Sequence, residues 1–404
     1  MATKTAPCIA ILLLVCTSIC NAQKTTKLTP NKQLLQVINQ NFKEGVSQYH
    51  FQMKNVPDGK FPRTYYREKN EPEFTNSEAW TSGFYPGILL YLFEQTRQKT
   101  FLTEAERMLN FLKKEQFNKT THDLGFMMYC SFGNANRIAP KPEYKEILIN
   151  SAKSLSSRFN PKVGCIKSWD NEDPSDMVVI IDNMMNLKLL FWATQVTGDS
   201  SYYKIAVTHA NTTIKNHFRD DHSSYHLVVY NADDGSIKKK VTAQGAADSS
   251  AWARGQSWGL YGFTETYRET KDKKYLDQAK RIAKFILDNP SLPADKIPYW
   301  DFDAPGIPNA LRDASAGAIM ASALIELSGY VDMPLAKKYR SAAETILLSL
   351  SSDKYKAAPN TNGGYILKHS VGYFPNNTEV DVPLTYADYY FIEAMKRYKS
   401  LKIK

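Results

Sequence analysis

Helices that are alternately wet and dry constrain this chain more than any other feature of its 404 residues. Helical periodicity marks 32–55, 83–98, 103–117, 142–159, 177–196, 201–218, 251–269, 274–287, 312–327, 335–349 and 384–398, between loops rich in Pro, Gly and Asp. The stretch 142–159 is amphipathic, with Ile147, Leu148, Ala152 and Leu155 on one stripe, whereas 177–196 is apolar almost all round, as a helix buried on several sides must be. The pair 251–269 and 274–287 repeats the contrast. Such alternation predicts an all-α fold of two concentric layers, an α/α toroid. A stacked solenoid needs a fixed repeat period, and none is visible. One interruption reads as a small β-hairpin excursion: 224–231, a turn at Asp233–Ser236, then 237–242. No linker divides 23–404, which predicts a single domain.

The first 22 residues predict a signal peptide. Lys4 supplies the positive start, 9–19 is an apolar core too short to span a membrane, and Cys20-Asn21-Ala22 offers small residues for cleavage near Ala22. Cys16 or Cys20 as a lipidated cysteine is a weaker reading, because the residues before each are a poor lead-in. The mature chain is then expected to be periplasmic or secreted, with no membrane insertion. Cleavage removes three of five cysteines and lowers the net charge from +10 to about +9. Cys130 and Cys165 remain, read as free thiols rather than a disulfide. Hydrophobic residues at 43% and charged residues at 23% exclude disorder, collagen-like repeats and a small disulfide scaffold. The positive balance points to anionic partners. The basic residues are dispersed and no nucleic-acid module is recognisable, so acidic saccharides are expected rather than nucleic acid. Nothing in the sequence specifies an oligomeric state.

No HExxH, Walker loop, GxGxxG or CxxC is present, and the seven histidines lack metal-ligand spacing, so neither metal nor organic cofactor is expected. Gly255-Gln256-Ser257-Trp258-Gly259 matches the GxSxG nucleophile elbow, but it lies inside a helical stretch rather than between a strand and a helix. Carboxylates in apolar surroundings are more informative. Asp182 follows Val178-Val179-Ile180-Ile181. Read as helix, it shares a face with Val178, Val179, Met185 and Asn186. Desolvation there raises its pKa and suits a general acid; a hydrogen-bonded core Asp or a cap is the bland alternative. Asp123, in HDLGF at 122–126, reads alone as a helix cap. The segment 252–258 (WARGQSW) joins aromatics to Arg254: Trp faces stack on sugar rings, and Arg forks a carboxylate. Trp192 reads as core. Trp80, Trp169 and Trp258, beside Gly, Ser or polar residues, read as pocket walls.

Taken in order, HDLGF at 122–126, IIDNMMNLKLLFWA at 180–193, SSYH at 223–226, QG at 244–245, WARGQSWGLYGF at 252–263, YWDF at 299–302 and RDASA at 312–316 resemble the unsaturated glucuronyl hydrolases of glycoside hydrolase family 88. The resemblance runs from about Trp80 to Tyr390. It implies an (α/α)6 barrel, and removal of the 4,5-unsaturated uronic acid that polysaccharide lyases leave on oligosaccharides. The reaction is hydration of an enol ether, not displacement at the anomeric carbon. By the resemblance, Asp182 is the general acid/base and Asp123 the second essential carboxylate. His226 and Gln244 line the water and substrate site, with His122 beside Asp123. Arg254 meets the carboxylate, and Trp258, Trp80 and Trp169 shape the pocket. One departure is Ala243, where the family pattern has His. Lys368 and Ser370, within a loop-like 365–377, are candidate sulfate contacts.

Two other readings stay open. Unsaturated rhamnogalacturonyl hydrolases share the barrel and the chemistry but act on pectin fragments. A periplasmic oligosaccharide-binding protein would need no buried acid, and this chain has both Asp123 and Asp182. HDLGF and SSYH favour the glucuronyl family.

Overall fold

The computed structural model describes residues 1–2 and 28–401. The predicted signal peptide, apart from Met1 and Ala2, lies outside the described residues. In chain order the helices are α1 (Lys32–Met53), α2 (Phe84–Thr96), α3 (Lys99–Leu112), a π-helix (Gly125–Gly133) running into α4 (Asn134–Ile138), α5 (Pro142–Ser156), α6 (Leu187–Thr197), α7 (Ser200–Asn216), α8 (Ala253–Thr270), α9 (Lys273–Asp288), α10 (Ala314–Leu327), α11 (Met333–Leu350) and α12 (Thr385–Lys399). An inner ring of α2, the π-helix with α4, α6, α8, α10 and α12 closes on itself, because α12 packs on α2. The amphipathic α1, α3, α5, α7, α9 and α11 wrap it. The contrast of textures has its physical basis in burial. Every residue of α10 except Glu326 is buried, whereas α9 buries one stripe, Tyr275, Gln278, Ala279, Ile282, Ala283 and Ile286. This is the expected (α/α)6 barrel.

Two elements depart from the sequence reading. The stretch 177–196 is not one helix. Asp176–Ile180 is a strand, Ile181–Met185 a 3₁₀ turn, and only Leu187–Thr197 is α-helical. The strand Asp176–Ile180, with its β-branched Val178–Ile180, pairs with Leu227–Asn231, so the expected hairpin (Leu227–Asn231 and Ile237–Val241) gains a third strand. Its faces alternate. Met177 and Val179 pack with Val228 and Tyr230, and Val178 and Ile180 with Leu227 and Val229. Asp182 therefore sits at a strand-to-helix junction, not on a helix face.

The second departure is the unanticipated inner helix over 125–138. Two glycines and three Asn/Ser residues hide its periodicity. Gly125 is required by packing: a Cβ there would lie 2.4 Å from the Asn186 Cα. Inserted π turns often mark functional sites, and this one begins two residues after Asp123.

The remaining strands fringe the barrel mouth. Among the described residues the strands in chain order are β1 (Phe61–Tyr66), β2 (Glu71–Thr75), β3 (Phe159–Asn160), β4 (Cys165–Ile166), β5 (Asp176–Ile180), β6 (Leu227–Asn231), β7 (Ile237–Val241), β8 (Ser370–Tyr373) and β9 (Thr378–Val382). β1 pairs β2 and β8 pairs β9, and Thr64 of β1 bonds the Pro383 carbonyl. The expected loop 365–377 thus contains a strand. Cys130 and Cys165 are free, Cys165 buried and Cys130 half-buried.

Buried Asp388 of α12 ties this fringe to the core. Its carboxylate accepts the Tyr49 hydroxyl at 2.8 Å and the Ile366 and Leu367 amides at 2.7 and 2.8 Å. Burial outweighs these bonds and pushes its pKa up to about 7. In Asp388→Asn the amide must turn its NH2 toward one backbone N–H and lose that bond. The expected loss is about 1–3 kcal/mol, read as a lower urea midpoint with an unchanged m-value.

Candidate active site

The inner helices all start at one end of the barrel. Their first residues and the turns before them bring Asp123, Asp182, Asn186, Arg254, Asp313 and Tyr386 to the same mouth. Helix N-termini present unpaired N–H groups and partial positive charge, so six of them make this mouth favourable to anions. At the opposite end, Arg268 and Arg397 converge on Glu326, and Tyr261 and Ser322 donate to Glu393.

Asp182 is 9% exposed and its Oδ1 has no hydrogen-bond partner. Burial is the main cause of its raised pKa, about 7. The Arg254 charge opposes the rise and the nearby Asp123 carboxylate adds to it. Its neighbours fix its position. The Ile181 amide donates to the His226 carbonyl at 3.0 Å. Asn183 donates to the Ile166 carbonyl at 2.7 Å and accepts the Ser168 hydroxyl at 3.1 Å.

Asp123 is held from both sides. Thr121 Oγ1 donates to its Oδ2 at 2.8 Å, and His122 Nε2 lies 3.3 Å from Oδ1. Asn186 Nδ2 faces His122 Nδ1 at 3.5 Å, and the Phe126 amide donates to Asn186 Oδ1 at 2.9 Å. The amide thus offers its N–H to Nδ1, so His122 carries its proton on Nε2, toward Asp123. Burial lowers its pKa and keeps it neutral.

His226 is set in the same tautomer by different partners. Its Nδ1 accepts the Ala243 amide at 3.0 Å and the Gln244 amide at 3.3 Å. The proton must then be on Nε2, which is buried and unpartnered. Burial pushes its pKa down to about 3, so it serves as a neutral donor and not as an acid. The residue at 243 acts here through its backbone N–H, which Ala supplies as well as His.

Other expected site residues are placed differently. Gln244 is half-buried, and its amide donates to the Gly372 carbonyl at 3.0 Å. Arg254 is 1% exposed. Its terminal nitrogens reach Asp313 Oδ2 at 3.2 Å, the Val371 carbonyl at 2.5 Å and the Gly372 carbonyl at 2.7 Å. The fork expected for a substrate carboxylate is therefore taken by the fold, while the guanidinium charge still acts on Asp182. Trp258 is fully buried between Phe126 and Tyr390, ring centroids at 5.0 and 5.3 Å, so it is core and not pocket wall. Trp80 is half-buried against Tyr386 at 4.8 Å. Trp169, 37% exposed, bridges in β fashion to Thr121, two residues from Asp123. Ser370 is 0% exposed within β8, and Lys368 donates to the Asp353 carbonyl at 2.7 Å, so neither is a free loop contact. Ser370 is held by its pairing with Val382, and Asp353 lies in the turn that follows α11.

Asp313 was not foreseen. It is a fully buried N-cap of α10 that accepts from Arg254, Ser315 and the Val371 amide. The Asp-Ala-Ser run at 313–315 carries the N-cap signal that points to it. Tyr386, whose ring centroid lies 5.3 Å from the Arg254 guanidinium and whose buried hydroxyl is unpartnered, was also missed; nothing local in the sequence distinguishes it from other core tyrosines.

If Asp123 helps to hold the proton on Asp182, Asp123→Asn lowers the Asp182 pKa from about 7. Carbon-13 NMR titration of the Asp182 carboxyl checks this, and an unchanged midpoint contradicts the coupling.

Residues 53–290 match the Glycosyl Hydrolase Family 88 domain. The chain is 45% identical over 354 residues to the unsaturated glucuronyl hydrolase of Formosa agariphila, covering 87% of this chain and 88% of that one. It is 36% identical to the unsaturated chondroitin disaccharide hydrolase of Streptococcus pneumoniae, covering 81% and 83%. A crystal structure of an unsaturated glucuronyl hydrolase specific for heparin superposes with a TM-score of 0.88 at 46% identity, covering 91% of this chain and 98% of that one. Sequence and fold agree: this chain belongs to glycosyl hydrolase family 88.

Proposed function

We propose that the protein removes the 4,5-unsaturated uronic acid from the non-reducing end of lyase-generated glycosaminoglycan oligosaccharides, with Asp182 as acid and base. The observation that carries this is the unbonded Oδ1 of buried Asp182, beside a second carboxylate and with its pKa raised to about 7; buried Asp388 has a similar pKa, but both its oxygens are hydrogen-bonded. A group with that pKa holds a proton at neutral pH yet can release it.

The proton of Asp182 goes to C4 of the enol ether, and positive charge develops at C5 and the ring oxygen. Water adds at C5 and returns a proton to the Asp182 carboxylate. The hemiketal at C5 opens to a ketone, and the hemiacetal left at C1 releases the remaining sugar. One water is consumed and Asp182 ends protonated. No glycosyl–enzyme bond forms, so carboxylate spacing does not dictate stereochemistry here. Asp123 is assigned to the uronate hydroxyls, His226 Nε2–H to the substrate or the attacking water, and Trp169 and Trp80 to the flanks. Arg254 acts by its field and by holding β8. Lys4, the apolar 9–19 and Cys20-Asn21-Ala22 support export to the periplasm or beyond.

Asp182→Asn keeps the shape and loses the proton. Turnover should fall by about 10²–10⁴, followed as loss of the unsaturated chromophore, while disaccharide binding stays measurable. Activity within about threefold of wild type moves the acid elsewhere.

Relatives named for chondroitin and for heparin leave sulfation as the variable to probe. With a mature charge near +9, salt should raise KM more for sulfated than for unsulfated unsaturated disaccharides, because exposed attraction is screened over about 8 Å at physiological ionic strength. Equal salt effects on both make the charge a solubility feature. Preferential turnover of unsaturated rhamnogalacturonan disaccharides favours the pectin reading instead.

A further inference from the structure

A cavity of about 890 Å³ opens on the barrel rim between the C-terminal end of α1, the β1–β2 hairpin and residues 357–368. That volume is within the usual range for ligand sites, about 300–1,000 Å³. Neither Asp123, Asp182 nor His226 lines it. Its walls are fixed: Thr64 anchors β1 to Pro383, and Asp388 clamps Ile366 and Leu367.

Three wall residues each carry a buried oxygen with no partner: Gln52 Oε1, Asn362 Oδ1 and the Tyr365 hydroxyl. The residues are 5%, 8% and 1% exposed. The amides cannot simply flip to relieve this. Gln52 Nε2 donates to the Gly363 carbonyl at 3.3 Å, and Asn362 Nδ2 to the Tyr365 and Leu367 carbonyls at 3.2 and 3.0 Å. A flip would set oxygen against oxygen. The wall therefore holds two obligate acceptors and one hydroxyl without partners, each covered by its neighbours and reached by a ligand only where a wall side chain shifts.

The rest of the lining has a consistent chemistry. Five of its seventeen residues are Asn or Gln, two are the cations Arg67 and Lys368, the latter also donating to the Asp353 carbonyl, and none is Asp or Glu. Tyr65 and Phe74 add half-buried aromatic surface from the hairpin. Amide acceptors suit hydroxyl donors, aromatic rings suit sugar faces, and cations without acids suit carboxylate or sulfate. We propose that this cavity is an accessory, non-catalytic site for an anionic oligosaccharide. The inference rests on the cavity's own groups and not on the catalytic reading, so either can fail alone.

The test is calorimetric titration of the full-length mature protein with a saturated uronate-containing hexasaccharide, which lacks the unsaturated end. The Arg67 side chain makes no hydrogen bond or ion pair among the described residues, so Arg67→Ala should fold normally. Wild type is expected to bind saturably, and Arg67→Ala about tenfold more weakly, equivalent to 1.4 kcal/mol. Gln52→Met, which removes one acceptor at similar volume, should also weaken binding. The kcat/KM of Arg67→Ala for an unsaturated disaccharide should stay within about twofold. No saturable binding, equal binding by wild type and Arg67→Ala, or equally tight binding of a neutral hexasaccharide overturns the proposal. A loss of disaccharide turnover equal to the loss of binding also overturns it, because the cavity would then be part of the catalytic mouth.

Discussion

The site depends on the desolvation of one carboxyl. Asp182 is buried, and the hydrogen bonds around it go to its neighbours Asn183 and Ile181 rather than to its free oxygen. An ionised carboxylate there loses hydration that nothing fully replaces, which makes the proton hard to remove. Arg254 moderates this and Asp123 reinforces it. The result near 7 is a balance of three terms, so the positions of Arg254 and Asp123 matter as much as the depth of burial. Those positions explain the rest of the mouth: Asp313 and β8 hold Arg254, and Thr121 with the Asn186–His122 pair holds Asp123.

The barrel makes the balance possible. Alternating inner and outer helices force every inner helix to run the same way, so the N-termini gather at one mouth and the C-termini at the other. The first end carries the helix N-termini and favours an anion; the second is tied by partly buried ion pairs such as Arg268–Glu326 and Lys188–Glu265. A cavity of about 840 Å³ lies among these charges, and removing one partner of such a pair would leave the other without its counter-ion.

Much of this was legible from residue pattern. The wet and dry textures gave the two layers, and ten of the eleven marked stretches became helices near their expected bounds. What failed did so for physical reasons. Val178–Ile181 reads equally as buried helix or buried strand, and only the partner strand at 227–231 decides it. The 125–138 helix contains Gly125, demanded by Asn186 remote in sequence, and a second glycine, Gly133, and together they erase its local signature. At the site, Asp182 was readable because burial of a carboxyl leaves an apolar context. Trp258 was misplaced because a Gly-Gln-Ser neighbourhood suggests exposure, whereas those small residues serve close helix packing: Ser257 bonds the Ala316 carbonyl at 3.1 Å.

Arg254 shows where sequence and resemblance stop being enough. Both place a guanidinium at the mouth, and both suggest a fork on the substrate. In the structure that fork supports Asp313 and two carbonyls of β8, and the ring of Trp252 lies 4.4 Å from the cation. The same positive charge that pins β8 also restrains the pKa of Asp182. Substituting Arg254 would therefore free the strand, unpair the buried Asp313 and raise the pKa of the acid at once. A large loss of activity would not by itself reveal contact with substrate, because three separate structural consequences lead to the same result. The carboxylate of an incoming uronate needs a favourable field more than it needs that particular fork, and the gathered helix N-termini supply such a field whether or not Arg254 touches it.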